Sequence, residues 1–152
     1  MKKLFWLLAM WLVVFPANAQ QSVNNEAEIN LIRKVIQTAY VEGLQNEGDT
    51  VKINMGFHPG FELLIPEKDG KLTKLSLAEW KGKIKASLAS GKLPRKDPDK
   101  VSIKFLNVDV TGDAAMAKFE FYVGARLTFV DYQFLYKFGE DWKIVSKIFY
   151  KY

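Results

Sequence analysis

Apolar residues along 26–46 recur at three- and four-residue steps: Ile29, Ile32, Ile36, Ala39, Tyr40 and Leu44, with Arg33, Lys34, Gln37 and Glu42 between them. This spacing predicts an amphipathic helix with one face turned to a core. Glu26 and Glu28 suit the positive end of its dipole, and Gly48 suits its stop. Asp49 or Thr50 can cap a second, short helix running to about Phe57. His58-Pro59-Gly60 interrupts the pattern. Residues 61–65 then read as a short strand, Asp69-Gly70 as a turn, and 72–75 as the return strand of a small hairpin. Ser76, with Glu79 three residues on, predicts a capping box for a third helix. Its apolar positions are Leu77, Trp80, Ile84 and Leu88, and Gly91 ends it.

From Lys100 the period changes to two. Val101, Ile103 and Phe105 alternate with polar residues, and Val108 and Val110 resume one residue out of phase, which predicts a bulge near Leu106-Asn107. Residues 114–123, 127–138 and 142–150 read as three further strands, joined at Gly124-Ala125 and Gly139-Glu140-Asp141. Helices first and a four-strand antiparallel meander after them is an α+β order, with about three helices on one face of a strongly bent sheet.

With tight turns, alternation sorts these strands into two faces. Phe119 and Phe121 would share an apolar face with Tyr132, Phe134, Trp142 and Ile144. A mixed face would carry Lys118, Asp131, Gln133, Leu135 and Lys147, with Lys118 opposite Asp131 and Lys147 diagonal to it. That arrangement reads either as a cross-strand ion pair on a half-exposed face or as a buried polar cluster in a pocket or subunit interface. A bulge in either strand would exchange the faces.

The beginning of the chain changes the setting. Lys2 and Lys3 precede an unbroken apolar run over residues 4–15, then Pro16 and Ala17-Asn18-Ala19. The run is shorter than the roughly 20 residues of a membrane-spanning helix. Residues 1–19 therefore read as a cleavable signal peptide and the protein as exported, periplasmic or secreted, with no stable membrane anchor after cleavage. Residues 20–25 form a polar, flexible tail, and 26–152 a single domain. The 133 residues left after cleavage suffice for one core. With no cysteine in the chain, stability rests on packing, and thiol catalysis and cysteine metal sites are excluded; a lone histidine excludes multi-histidine metal sites. After cleavage 20 basic residues oppose 17 acidic ones, too small an excess to point to nucleic acid.

Several segments, in order, carry a resemblance. They are Gly43-Leu44 to Gly48-Asp49, Phe57-His58-Pro59-Gly60-Phe61, Asp69-Gly70-Lys71 and Thr111-Gly112-Asp113-Ala114-Ala115. Asp131-Tyr132, Trp142-Lys143-Ile144-Val145 and Lys147 complete the series. Over 26–152 the chain resembles the nuclear transport factor two-like superfamily of cystatin-like, bent-sheet cones. More narrowly it resembles the lumazine-binding-like branch, related to the SnoaL-like polyketide cyclases and steroid isomerases. The resemblance implies a cavity between the helices and the concave sheet, a small-molecule ligand, and homodimers through the sheet.

Tyr40, His58, Trp80, Phe119 and Tyr132 are the candidates to line a pocket for a flat or hydrophobic ligand. His58 and Asp131 are the candidate acid–base groups, although Lys118 and Lys147 beside Asp131 would hold it ionised at a lowered pKa, as an ion-pair partner. No nucleophile–base–orienter set, phosphate loop or metal-ligand spacing is present, so no cofactor and no metal is expected. Three classes of function fit: a small-molecule binder first, then an isomerase, dehydratase or cyclase, then an assembly module acting through its sheet.

Overall fold

The computed structural model describes residues 17–152, with side chains from Asn25 onward. Residues 1–16, most of the expected leader, lie outside the described residues. Helix α1 (Ala17–Val35) continues directly into a π-helix (Ile36–Glu47). Residues 20–25, expected as a flexible tail, are thus early turns of α1. Ile32, Ile36, Tyr40 and Leu44 are all buried. Their four-residue step serves an α- and a π-helix alike, so periodicity alone does not separate the two. The π-helix closes at Gly48, whose left-handed φ of 73° lets its N–H reach back to the carbonyl of Gly43.

Asp49 caps α2 (Thr50–Gly56), its carboxylate accepting from the N–H groups of Val51 and Lys52. A side chain at Gly56 would collide with Ala39, so α2 lies directly on the π-helix. Strands β1 (Phe57–Pro66) and β2 (Leu72–Ser76) form the expected hairpin, and α3 (Leu77–Ala89) begins at the Ser76–Glu79 capping box. Then come β3 (Val101–Thr111), β4 (Ala114–Val123), β5 (Arg126–Phe138) and β6 (Asp141–Lys151). The sheet order is β2-β1-β6-β5-β4-β3. The expected antiparallel meander holds for β3 to β6, but the sheet is six-stranded and mixed, because β1 adds parallel to β6. An early strand and the last strand meet at one edge, a pairing that local patterns do not carry.

The bulge at Leu106 is present, between Phe105 and Asn107. Two further bulges correct the sorting of faces. Phe121 pairs with Phe129 and Tyr122 with Leu127, leaving Thr128 as an extra residue; Leu135 pairs with Ile144 and Phe134 with Ser146, leaving Val145 extra. Each shifts the register by one and so reverses which side chains face inward. In β5, Asp131, Gln133 and Leu135 therefore point into the core, while Phe134, Tyr136 and Phe138 lie exposed on the outer face. Asp131 stands opposite Phe119, not Lys118; Lys118 stands opposite Tyr132, with its ammonium 5.3 Å from that ring.

Glu28 ties α1 to the far hairpin. Its carboxylate lies 2.8 Å from Lys137 Nζ and accepts from Trp142 Nε1 at 2.6 Å. These hydrogen bonds, from Lys137 first and Trp142 second, hold its pKa below the usual value. A depressed carboxylate stabilises the fold above its unfolded pKa of about 4.3, and that contribution is lost as pH falls through the lower folded value. Glu28→Gln is expected to cost about 1–2 kcal/mol at neutral pH, with the difference from wild type closing in acid; urea titrations across pH 2–7 read both, and a difference independent of pH would contradict the assignment. Among the described residues no helix is long and apolar enough to cross a membrane.

Candidate functional site

The concave side of the sheet and the π-helix border an open-mouthed cavity of about 210 Å³. Its walls are largely aromatic, with Tyr40, Trp80, Phe121, Phe129 and Phe149 among them, and Gln45, Arg95 and Lys147 bring polar ends to it. The π-helix supplies Tyr40 and Gln45, α3 supplies Trp80, the segment between α3 and β3 supplies Arg95, and the strands supply the rest. Against ligand pockets of roughly 300–1,000 Å³ this is a small site, suited to a compact one- or two-ring molecule.

A buried polar constellation lies at one wall. Tyr40 donates its hydroxyl proton to Asp131 Oδ2 at 2.7 Å. Lys147 Nζ stands 2.9 Å from the other carboxylate oxygen, close as an ion pair but off the direction of a good hydrogen bond. Asp131 and Gln133 are fully buried and Lys147 is 5% exposed. The ammonium is wrapped by aromatic faces, 4.9 Å from the Phe149 ring centre and 5.4 Å from that of Tyr40, an arrangement that partly replaces lost hydration. Both polar atoms of the Gln133 amide lack a protein partner. Orphaned buried groups of this kind are uncommon and costly.

Burial decides the titration here, which corrects the expectation of a lowered Asp131 pKa. Desolvation pushes the carboxyl up, against the opposing charge of Lys147 and the hydrogen bond from Tyr40. The same desolvation pushes the Lys147 amine down against Asp131. It also raises Tyr40 well above the ordinary phenol range, with the Asp131 charge acting in the same direction.

The sequence candidates are only partly brought together. Tyr40 and Trp80 meet in the cavity wall, with ring centres 6.3 Å apart. Phe119 is fully buried behind Tyr40, its ring 6.0 Å away, and supports the wall without lining it. Tyr132, expected in the pocket, lies on the other face, because the Thr128 bulge reversed β5. His58, expected as a pocket and acid–base residue, lies outside the cavity as well: it stacks on the outer-face Phe138 at 4.8 Å and accepts the Gly60 N–H at Nδ1. Its neighbours give it a structural role at the start of β1. Asp131 is in the constellation but does not line the cavity.

Sequence reasoning missed Gln45, Arg95, Phe129 and Phe149 as wall residues. The two phenylalanines fell on the wrong face for the same reason as Tyr132. Arg95 sits in an irregular segment with no periodicity to flag it. Elsewhere, a cavity of about 190 Å³ beside α1 has an apolar wall with Leu31, Val35 and Met55, but none of the buried titratable groups reaches it. No cluster of three potential metal ligands occurs among the described residues.

The model of a protein family described as "Putative lumazine-binding" matches residues 27–150. Similar folds occur among solved structures. One from Shewanella baltica, described as an NTF2-like protein of unknown function, has a TM-score of 0.65 at 21% identity, covering 84% of this chain and 95% of that one. Another from Silicibacter pomeroyi, described in the same terms, has a TM-score of 0.65 at 20% identity, covering 84% and 98%. A structure from Streptomyces avermitilis described as a putative dehydratase has a TM-score of 0.57 at 14% identity, covering 84% and 98%. At such identities the likeness speaks for the fold alone. No curated protein matches the chain by sequence.

Proposed function

The chain belongs to the "Putative lumazine-binding" family within the nuclear transport factor two-like superfamily, and from this premise we propose that it is an exported binding protein that holds a flat or hydrophobic small molecule in its cone cavity. The observation that carries the reading is the aromatic wall of Tyr40, Trp80, Phe121, Phe129 and Phe149 around one open-mouthed space beside a buried polar cluster. Flat rings gain contact area and edge-to-face partners in such a site. Binding is favoured over turnover because Asp131 is engaged on both oxygens by Tyr40 and Lys147, while His58 is spent on the outer surface.

Two further parts of the reading concern setting. The Lys-Lys start, apolar run and Ala-Asn-Ala motif support export with cleavage before Gln20. The outer sheet face exposes Phe134, Tyr136, Phe138, Ile148 and Tyr150, an apolar patch that a second copy of the chain would cover. Mass measurement of protein recovered from its own cell envelope tests both: a start at or near Gln20 and two chains per particle are expected, and full-length or single chains would count against them.

The wall itself is tested at Trp80. Trp80→Ala removes the indole that meets both Tyr40 and Phe61 and is expected to weaken retention of a bound aromatic on the order of tenfold or more. Thermal shift with a panel of flat heterocycles provides the measurement, since a ligand that prefers the folded state raises the melting temperature. A ligand whose stabilising effect survives Trp80→Ala unchanged would not be using this cavity.

A further inference from the structure

The cone cavity does not end at its aromatic wall. Gln45, Trp80 and Arg95 line both it and a larger cavity of about 640 Å³ beside α3. The two spaces are thus neighbours, bordered in common by these three residues. Lys83, Lys92, Arg95 and Lys96 line the outer one against two carboxylates, Asp97 and Asp99. Asp97 is already paired with Lys100 at 3.6 Å. None of the four cations forms an ion pair among the described residues, so the vestibule carries positive charge with little of its own to balance it.

Inside the cone the situation is the reverse. Lys147 is the deeper cation, and Asp131 at 2.9 Å neutralises it. Arg95 is therefore the unbalanced cation in the wall that a bound molecule meets. Its guanidinium is held by carbonyl groups: Nε donates to Gln45 O at 2.9 Å and Nη1 to Asp99 O at 3.5 Å. Its backbone N–H donates to Asn46 O at 2.7 Å. These contacts fix the side chain without cancelling its charge, and they leave Nη2 with no partner among the described residues. A half-buried, pre-positioned guanidinium with a free donor is suited to a planar oxyanion. Its position at the junction would set that oxyanion between the aromatic cavity and the basic vestibule.

We propose that the ligand is an aromatic or apolar body bearing an anionic group, a carboxylate or a similar oxyanion, with the body in the cone cavity and the anion on Arg95 at its mouth. The proposal rests on the reading that the cone cavity holds a small molecule. Lys83, Lys92 and Lys96 act at longer range: being solvent-facing, they draw anions to the mouth, and salt screens them more than it screens Arg95. Gln45 and Trp80 complete the junction, one as a polar neighbour and the other as the apolar edge over which the ring enters.

Two probes of the same shape separate charge from fit: 2-naphthoate and its neutral counterpart 2-naphthamide, titrated calorimetrically into the mature protein. Naphthoate is expected to bind more tightly than the amide by on the order of tenfold at low salt, the scale of one charge-assisted contact. Arg95→Met is expected to cost naphthoate distinctly more affinity than the amide, so that the two probes bind this variant about equally. Because Arg95 also ties the segment before β3 to the π-helix, a second variant keeps the test independent of folding. Lys83→Gln combined with Lys92→Gln and Lys96→Gln is expected to flatten the salt dependence of naphthoate binding and retain part of its preference. Equal binding of the two probes to the wild type would overturn the anion assignment and leave the cavity reading standing. Failure of both probes to bind would overturn the two together.

Discussion

Asp131→Ala is expected to destabilise the protein by about 3–5 kcal/mol, because it strands the Lys147 ammonium without a counter-ion in the core. Asp131 has no exposure and Lys147 only 5%, so no group of the protein replaces the lost carboxylate and little water reaches the ammonium. The Tyr40 hydroxyl loses its acceptor in the same step, adding an orphaned donor. Removing both charges tests the cause. Asp131→Asn combined with Lys147→Met is expected to recover most of the loss, since replacing a buried pair as a unit is far less costly than breaking it. Guanidinium unfolding at neutral pH compares the three proteins. A loss below about 1 kcal/mol for Asp131→Ala would mean that the pair is hydrated and the constellation open.

Ile144→Ala is expected to cost about 2–5 kcal/mol. Ile144 is fully buried and pairs with Leu135, itself 1% exposed, across β5 and β6. Leu135→Ala should cost a similar amount, and Phe134→Ala, one residue along on the outer face at 39% exposure, distinctly less. This order is a direct consequence of the Thr128 and Val145 bulges. Without them, alternation would bury Phe134 and turn Leu135 away from Ile144. Urea unfolding of the three variants that ranked Phe134→Ala above Leu135→Ala would contradict the register.

The local elements were legible because each carries its signal within a few residues. Asp49 and Ser76 mark helix starts, Gly48 a stop, and the phase slip at Leu106 a bulge, and each does so in the structure. The family was legible from ordered segments along 26–152, and the family match covers residues 27–150. Side-chain direction in the last strands was not. Thr128 and Val145 occupy bulges in runs whose alternation reads smoothly through them, and two single-residue shifts carried Tyr132 out of the site and Phe129 and Phe149 into it. The parallel join of β1 to β6 is a contact between distant segments with no local marker. In the site, Tyr40 and Trp80 were found because helical spacing puts them on inward faces. His58 stands out in the sequence for its chemistry alone, and chemistry without a face to place it does not locate a residue in the cavity. Lys147 was recognised as a neighbour of Asp131, but its burial among aromatic rings, which decides the direction of both titrations, follows only from the bent sheet.

The central claim is that the cone cavity holds a small molecule, and native mass spectrometry of the mature protein purified from its own cell envelope tests it most directly. The native mass should exceed the denatured chain mass by one small molecule per chain, and Trp80→Ala should lower the fraction of chains that carry it. Native and denatured masses that agree, chain for chain, would contradict the account.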